Sequence, residues 1–121
     1  MALNVSVTKK EPGVFIIHPV GAIDANTYPV LEKETDAVLE ATPKIVIFDM
    51  EEVDYISSAG LRIVFKTKKA LKQIQGKSYM VNLTPTVKKV FDIISALPQE
   101  EVFASVKELD EYLDRIQHGD S

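Results

Sequence analysis

The stretch VDYISSAGLR, Val53 to Arg62, sets two adjacent serines before an Ala-Gly pair, where an apolar run gives way to a helical pattern. A serine acts as a nucleophile only with a base in reach, most often a histidine. The chain holds two histidines, His18 inside an apolar run and His118 in the tail. The nucleophile elbow of the hydrolases needs Gly-x-Ser-x-Gly, and Ser58 has Gly60 after it but Ile56 where the first Gly should stand. The residues therefore point away from an enzyme, and no catalytic residue is expected. Asp49, Glu51, Glu52 and Asp54 cluster nearby, yet they lack the loop spacing of an EF-hand. With no Walker loop, no GxGxxG and zero cysteines, neither metal nor cofactor is expected.

What the serines offer is a helix start. Ser is among the preferred N-caps, so Ser57 or Ser58 fits that place. A helix N-terminus also presents free N–H groups and the positive end of a dipole, which would accommodate a phosphoryl group on a serine. Gly60, lacking a Cβ, would let backbone or a partner approach closely.

The elements that must position these serines read as follows. VSVTKK and GVFIIHPVGAI suggest two strands of a hairpin around KEPG. A helix follows, with Val30, Leu31, Ala37, Val38 and Leu39 as its apolar positions, Thr27 as N-cap and Pro29 in the first turn. KIVIFDM is apolar on both faces, as a central buried strand is. The second helix runs from about Ser58 to Ile74. Its Leu61, Ile63, Val64, Thr67, Ala70, Leu71 and Ile74 fall on one side, and Arg62, Lys66, Lys69 and Lys72 on the other. Phe65 lands among the lysines. Gly76 stops that helix and QGKSYMVNL supplies a strand. A Thr-Pro start opens the helix of TPTVKKVFDIISAL. A short strand near Val102 and a helix from Val106 to about Ile116 close the chain.

The order ββαβαβαβα implies an α/β fold, a mixed, mostly parallel sheet of about five strands with helices packed on it. A length of 121 residues without a linker fits one domain, residues 1–121. No apolar run approaches the roughly 18 residues of a membrane helix, and the start lacks the order of a secretion signal. A cytoplasmic location away from the membrane is the expectation. The net charge of −4 is uneven: Arg62, Lys66, Lys68, Lys69, Lys72, Lys77, Lys88 and Lys89 follow one another with no acid between them. This run is either a solvated face or a docking surface for an acidic partner. The acidic total and the lack of interleaved aromatics in loops exclude nucleic acid from the expected partners.

VIFDM resembles the phosphoacceptor strand of a response-regulator receiver, but the acidic pair after the first strand and the later Lys-Pro are missing. Asp49 is better read as a strand-end residue bonding the next turn. The whole pattern instead resembles the STAS domain of bacterial anti-sigma factor antagonists. VGAID resembles that family's Gly-x-Leu-Asp, IVIFDMEEVDYISSAGLRIVF its central strand, phosphorylation loop and helix, and NLTPTVKKVFDIISAL its later Ser/Thr-Pro helix. The resemblance implies a non-enzymatic regulator, a monomer, that binds an anti-sigma factor which is also a serine kinase. Phosphorylation of one serine then ends the association. In the family's Asp-Ser-Ser/Thr-Gly-Leu-Gly pattern that serine lies two places before the Gly, which here is Ser58, and the early Asp corresponds to Asp24. Ser57 stands where the pattern has Asp, Ala59 follows the acceptor and Arg62 replaces the last Gly; Ser57 is the alternative acceptor. The expected docking surface comprises Asp24, Ser57, Ser58, Ala59 and Gly60, with Phe65 as apolar anchor and Arg62, Lys66 and Lys69 as charged rim. Two alternatives are an unphosphorylated STAS module binding a nucleotide or anion at the same helix end, and the STAS domain of a sulfate-type anion transporter.

Overall fold

Two strands open the chain, β1 (Asn4–Glu11) and β2 (Val14–Ile23), paired antiparallel across the Pro-Gly turn. The protein is seen here as a computed structural model, which describes residues 2–96 and 106–118. The next strand, β3 (Ile45–Asp49), runs parallel to the first half of β2, from Val14↔Ile45 to Ile17↔Phe48. A further strand, β4 (Glu52–Ile56), runs parallel to the second half, from Val20↔Glu52 to Ile23↔Ile56. The edge of β2 is thus shared by two strands in succession. His18 and Pro19 fall at the changeover and pair with neither, and Pro19 has no N–H to leave unbonded there. Two residues later Gly21, with φ 122, in a backbone conformation that side chains resist, lies opposite a bulge in which β4 carries Asp54 as an extra residue. The last strand, β5 (Lys77–Val81), lies parallel to β3, so the sheet reads β1-β2-β3-β5 with β4 on β2.

The mixed, mostly parallel five-stranded sheet agrees with the expected fold class, but its membership differs. Residues 52–56 were expected as loop. Their Glu52 and Asp54 disfavour a strand by composition, yet both point to solvent while Val53 and Ile56 are fully buried. The strand expected near Val102 lies outside the described residues.

Four helices complete the fold: α1 (Tyr28–Glu40), α2 (Ser58–Gln73), α3 (Pro85–Ala96) and α4 (Val106–Gln117). α1 packs on the hairpin and on α2, α3 on β4, and α4 on α3 and α2. Leu31, Thr35 and Val38 form the buried stripe of α1, whereas Val30 is exposed. Thr27 sits at the expected N-cap position but makes no cap bond, because its hydroxyl donates to the Ala22 carbonyl at 2.8 Å.

α2 buries Leu61, Ile63, Val64, Thr67 and Leu71 as its periodicity requires; Ile74, expected on that side, lies past the last turn and is exposed. This helix ends in a doubly bonded turn: the Gly76 N–H donates to the Leu71 carbonyl at 2.7 Å and the Gln75 N–H to Lys72 at 3.2 Å. The left-handed residue is Gln75, at φ 58, rather than the expected Gly76. Thr84 opens α3 as its Thr-Pro start implies, accepting from the Val87 N–H while its hydroxyl ties back to the Val53 carbonyl at 3.0 Å. Between the layers, Ile17, Ile23, Phe48, Met50, Ile56, Ile63 and Leu113 are fully buried. Each contributes roughly 1.5–3 kcal/mol by leaving water.

Candidate functional site

Because β2 and β4 run parallel and end together, the residues that follow them meet at one end of the sheet. Asp24 follows β2 and Ser57 follows β4, and the Ser57 N–H donates to the Ile23 carbonyl at 2.8 Å. Carboxyl ends of parallel strands are where α/β proteins place their functional residues. The sequence-expected Asp24, Ser57 and Ser58 are brought together in this way.

The two serines have different surroundings. Ser57 is 4% exposed, and its hydroxyl caps α2 by accepting from the Gly60 N–H at 3.4 Å. Ser58 is the first residue of α2 and is half-exposed. Its backbone N–H donates to the Asp110 carboxylate of α4 at 3.0 Å. Ala59 is also half-exposed, but Gly60 is buried. A Cβ on Gly60 would lie 2.7 Å from both Ile23 Cγ2 and Ile56 Cγ1. Gly60 was expected to let backbone or a partner approach closely. What approaches it is the protein's own pair of strand ends, which lets α2 start hard against the sheet.

Asp24 is committed to its own turn. Its carboxylate accepts from the N–H groups of Asn26 and Thr27 at 2.8 and 3.0 Å, and the Thr27 hydroxyl accepts from the Asp24 N–H at 2.9 Å. This is the reciprocal bonding of a capping box, set just ahead of α1. The turn leaves Asp24 on the rim of an open depression of about 520 Å3, lined also by Ala22, Asp54, Tyr55, Asp114 and His118. Tyr55 has its phenol pKa raised, by burial first and then by the charges of Asp114, Asp110 and Asp24.

The residues expected as a charged rim divide. Lys66 bonds Glu32 at 2.8 Å and Asp36 at 3.3 Å, and Arg62 lies 3.6 Å from Glu32 and over the Tyr28 ring. These bonds, that from Lys66 to Glu32 foremost, lower the Glu32 pKa and raise that of Lys66. Arg62 and Lys66 thus tie α2 to α1. Lys69 is exposed with no ion pair among the described residues. Phe65 is 43% exposed, turned toward α3, where its ring meets Phe91 edge-on at 6.3 Å.

The acidic cluster after β3 disperses. Asp49 accepts from the Glu51 N–H, as a strand-end residue would, and flanks His18 at 3.5 Å; Glu52 bonds His18 at 2.7 Å, and Asp54 lies at the depression. Among the described residues, no group of three or more His, Cys, Asp or Glu could hold a metal ion.

Sequence reasoning missed the contribution of α4. Asp110, Asp114 and Gln117 recur at helical spacing, the one signal that could have placed them on a common face. Gln117 is 9% exposed; its amide accepts from the Ile56 N–H at 2.8 Å and donates to the Ile56 carbonyl at 2.7 Å. His118, placed by sequence only in the tail, bonds Asp114 at 3.0 Å and stacks on Tyr55 with ring centroids 5.4 Å apart. The α4 helix therefore grips the residues on both sides of Ser57: Ile56 through Gln117, and Ser58 through Asp110.

This arrangement is shared with known proteins. A sequence profile described as "STAS domain" matches residues 6–109. Over 84 residues the chain is 37% identical to BtrV of Bordetella bronchiseptica, whose name places it among the anti-sigma factor antagonists, covering 69% of this chain and 72% of that one. The anti-sigma-B factor antagonist of Staphylococcus aureus is 26% identical over 93 residues, covering 77% of this chain and 85% of that one. Among solved structures, an anti-sigma factor antagonist from Mycobacterium paratuberculosis superposes with a TM-score of 0.67 at 20% identity, covering 93% and 94% of the two chains. The unphosphorylated anti-sigma factor antagonist SpoIIAA gives 0.63 at 18% identity, covering 94% and 98%. Profile, sequence relatives and fold agree, and the chain belongs to the STAS domain family.

Proposed function

We propose that this protein is an anti-sigma factor antagonist whose association with an anti-sigma factor that is also a serine kinase is ended by phosphorylation of Ser58. The observation that carries the reading is the division of labour between the serines. Ser57 is buried and spends its hydroxyl as the helix cap, while Ser58 is partly exposed at the start of α2, where it is the backbone N–H that is bonded, to Asp110. The names of the relatives, anti-sigma factor antagonists from two organisms, support the general role.

In the reaction, the Ser58 Oγ bonds to the γ-phosphorus of ATP as the bond to ADP breaks, and the hydroxyl proton passes to a base of the kinase. The product adds roughly −1.5 to −2 charges. It does so at an end of the sheet already carrying Asp24, Asp54, Asp110 and Asp114. A partner shaped for a neutral hydroxyl loses both fit and charge balance there. A loss of about 3 kcal/mol would lower affinity more than a hundredfold. The docking face would run from Asp24 and Ser58 along α2, with Ala59, Phe65 and Lys69 as its accessible residues. Arg62 and Lys66 contribute less to such a face, because acids of α1 already hold them.

The nucleotide or anion reading has less support. The one N–H that Ser58 could offer is taken by Asp110, and the neighbouring depression is lined by carboxylates.

The test is to incubate the protein with the anti-sigma kinase of its own organism and ATP, and to locate the phosphate by mass spectrometry. One phosphate on Ser58, none on Ser58→Ala, and a hundredfold or greater loss of kinase affinity are expected. Phosphate on Ser57 alone, or undiminished binding of the phosphorylated form, rejects the reading.

A further inference from the structure

We infer that α4 is the element that responds to modification of Ser58: the Asp110 carboxylate occupies the N–H that a phosphoryl group on Ser58 would claim, so phosphorylation frees the first half of α4 from the start of α2. The inference rests on the phosphorylation reading only for its biological occasion; the competition itself is built into the fold.

The Ser58 N–H and the Asp110 carboxylate are 3.0 Å apart. Covalent geometry keeps a serine's Oγ within roughly 4 Å of its own nitrogen in every rotamer, so a phosphoryl group on Ser58 can reach that N–H and compete with the Asp110 carboxylate for it. Both groups are anions and both suit the same helix end. The doubly charged, three-oxygen phosphoryl is the stronger acceptor and is covalently fixed in place. Asp110 is the one that can leave, because it is held to α2 by that single bond. Its departure also relieves repulsion from Asp114, one turn along, which sits on the same depression as Asp24 and Asp54.

The other end of α4 has no reason to move. Leu113 is fully buried, and Gln117 holds both the N–H and the carbonyl of Ile56. The response is therefore a partial one, a loosening of the turn around Asp110, whose Leu109 and Tyr112 pack only partly buried on the core, about a fixed Leu113–Gln117 anchor. The Ser58 face would then change shape as well as charge.

The experiment places phosphoserine at position 58 of the full chain by genetic encoding and follows amide hydrogen exchange, with no kinase present. Amides of residues 110–112 are expected to exchange at least tenfold faster than in the unmodified protein, while those of residues 113–117 and of Ile45–Asp49 keep their rates. In Asp110→Asn, whose side-chain oxygen still accepts the Ser58 N–H but carries no charge, phosphoserine should produce less than a third of that acceleration. Unchanged exchange in α4 overturns the inference. So does an equal acceleration in Asp110→Asn, or one that spreads into the sheet and reports general destabilisation. A failure of the switch reading looks different: α4 opens, but the phosphoprotein still binds its kinase.

Discussion

At the scale of single residues, the two serines can be separated by what each loses on truncation. Ser57→Ala removes the hydroxyl that accepts from Gly60 and should destabilise the fold by about 0.5–2 kcal/mol. Ser58→Ala leaves the Asp110 bond in place, since that bond uses backbone, and should stay within about 0.5 kcal/mol of the parent. Urea denaturation of the two variants checks the contrast, and equal losses would contradict the assignment of the cap. The cap itself was legible from sequence, because Ser before a helical pattern is a local signal. The work of Gly60 was not. Its neighbours Ile23 and Ile56 come from two different strands, and nothing local announces that both would sit 2.7 Å from a Cβ placed there. Asp110 was illegible for the same reason at greater range, being 52 residues from the serine it serves.

At the scale of elements, α4 shows how a side chain can stand in for a strand. Gln117 completes the bonding of Ile56 at the side of β4 away from β2. Gln117→Ala would leave a buried N–H and a buried carbonyl without partners. Each unsatisfied group costs about 1–3 kcal/mol, so a loss of at least about 2 kcal/mol is expected, read as a fall in the thermal midpoint. Gln117→Glu keeps the acceptor but not the donor and should recover only part of the loss. Helices were the more legible elements: α1, α2, α3 and α4 all lie where apolar periodicity put them, within a residue or two. β4 escaped because two of its five residues, Glu52 and Asp54, face water and both are acids, so the pattern read as a loop. Thr27 was read as a simple cap because sequence shows the residue type and not the competing carbonyl of Ala22 that claims its hydroxyl.

At the scale of the whole molecule, the charge run that looked continuous in sequence is divided by the fold. Arg62 and Lys66 are spent on holding two helices together, and Asp49 and Glu52 on His18. The last pair gives stability a pH dependence. His18 bridges the end of β3 and the start of β4, and its pKa is raised above 6.5, chiefly by the hydrogen bond to Glu52, with burial opposing and the charges of Asp49 and Glu52 adding to the rise. A raised pKa means the folded state holds the proton more tightly than the unfolded one. The stabilisation is thus complete below pH 6.5 and is lost as pH rises through the folded value. Both partners are partly exposed, so at most about 1 kcal/mol is at stake. The urea midpoint of the parent should fall relative to that of His18→Gln between pH 6 and pH 9, and parallel curves would show that His18 does not bridge the strands in solution.

The Gln117 clamp has one more consequence. An uncovered strand edge is a template on which a second chain can add its own strand. By bonding the N–H and carbonyl of Ile56 with an amide from a helix, the protein closes the last residue of that edge, next to the serine on which its regulation is proposed to turn. An anchor at Gln117 that stays closed while the turn around Asp110 loosens would let the molecule change its face to a partner without uncovering the end of β4.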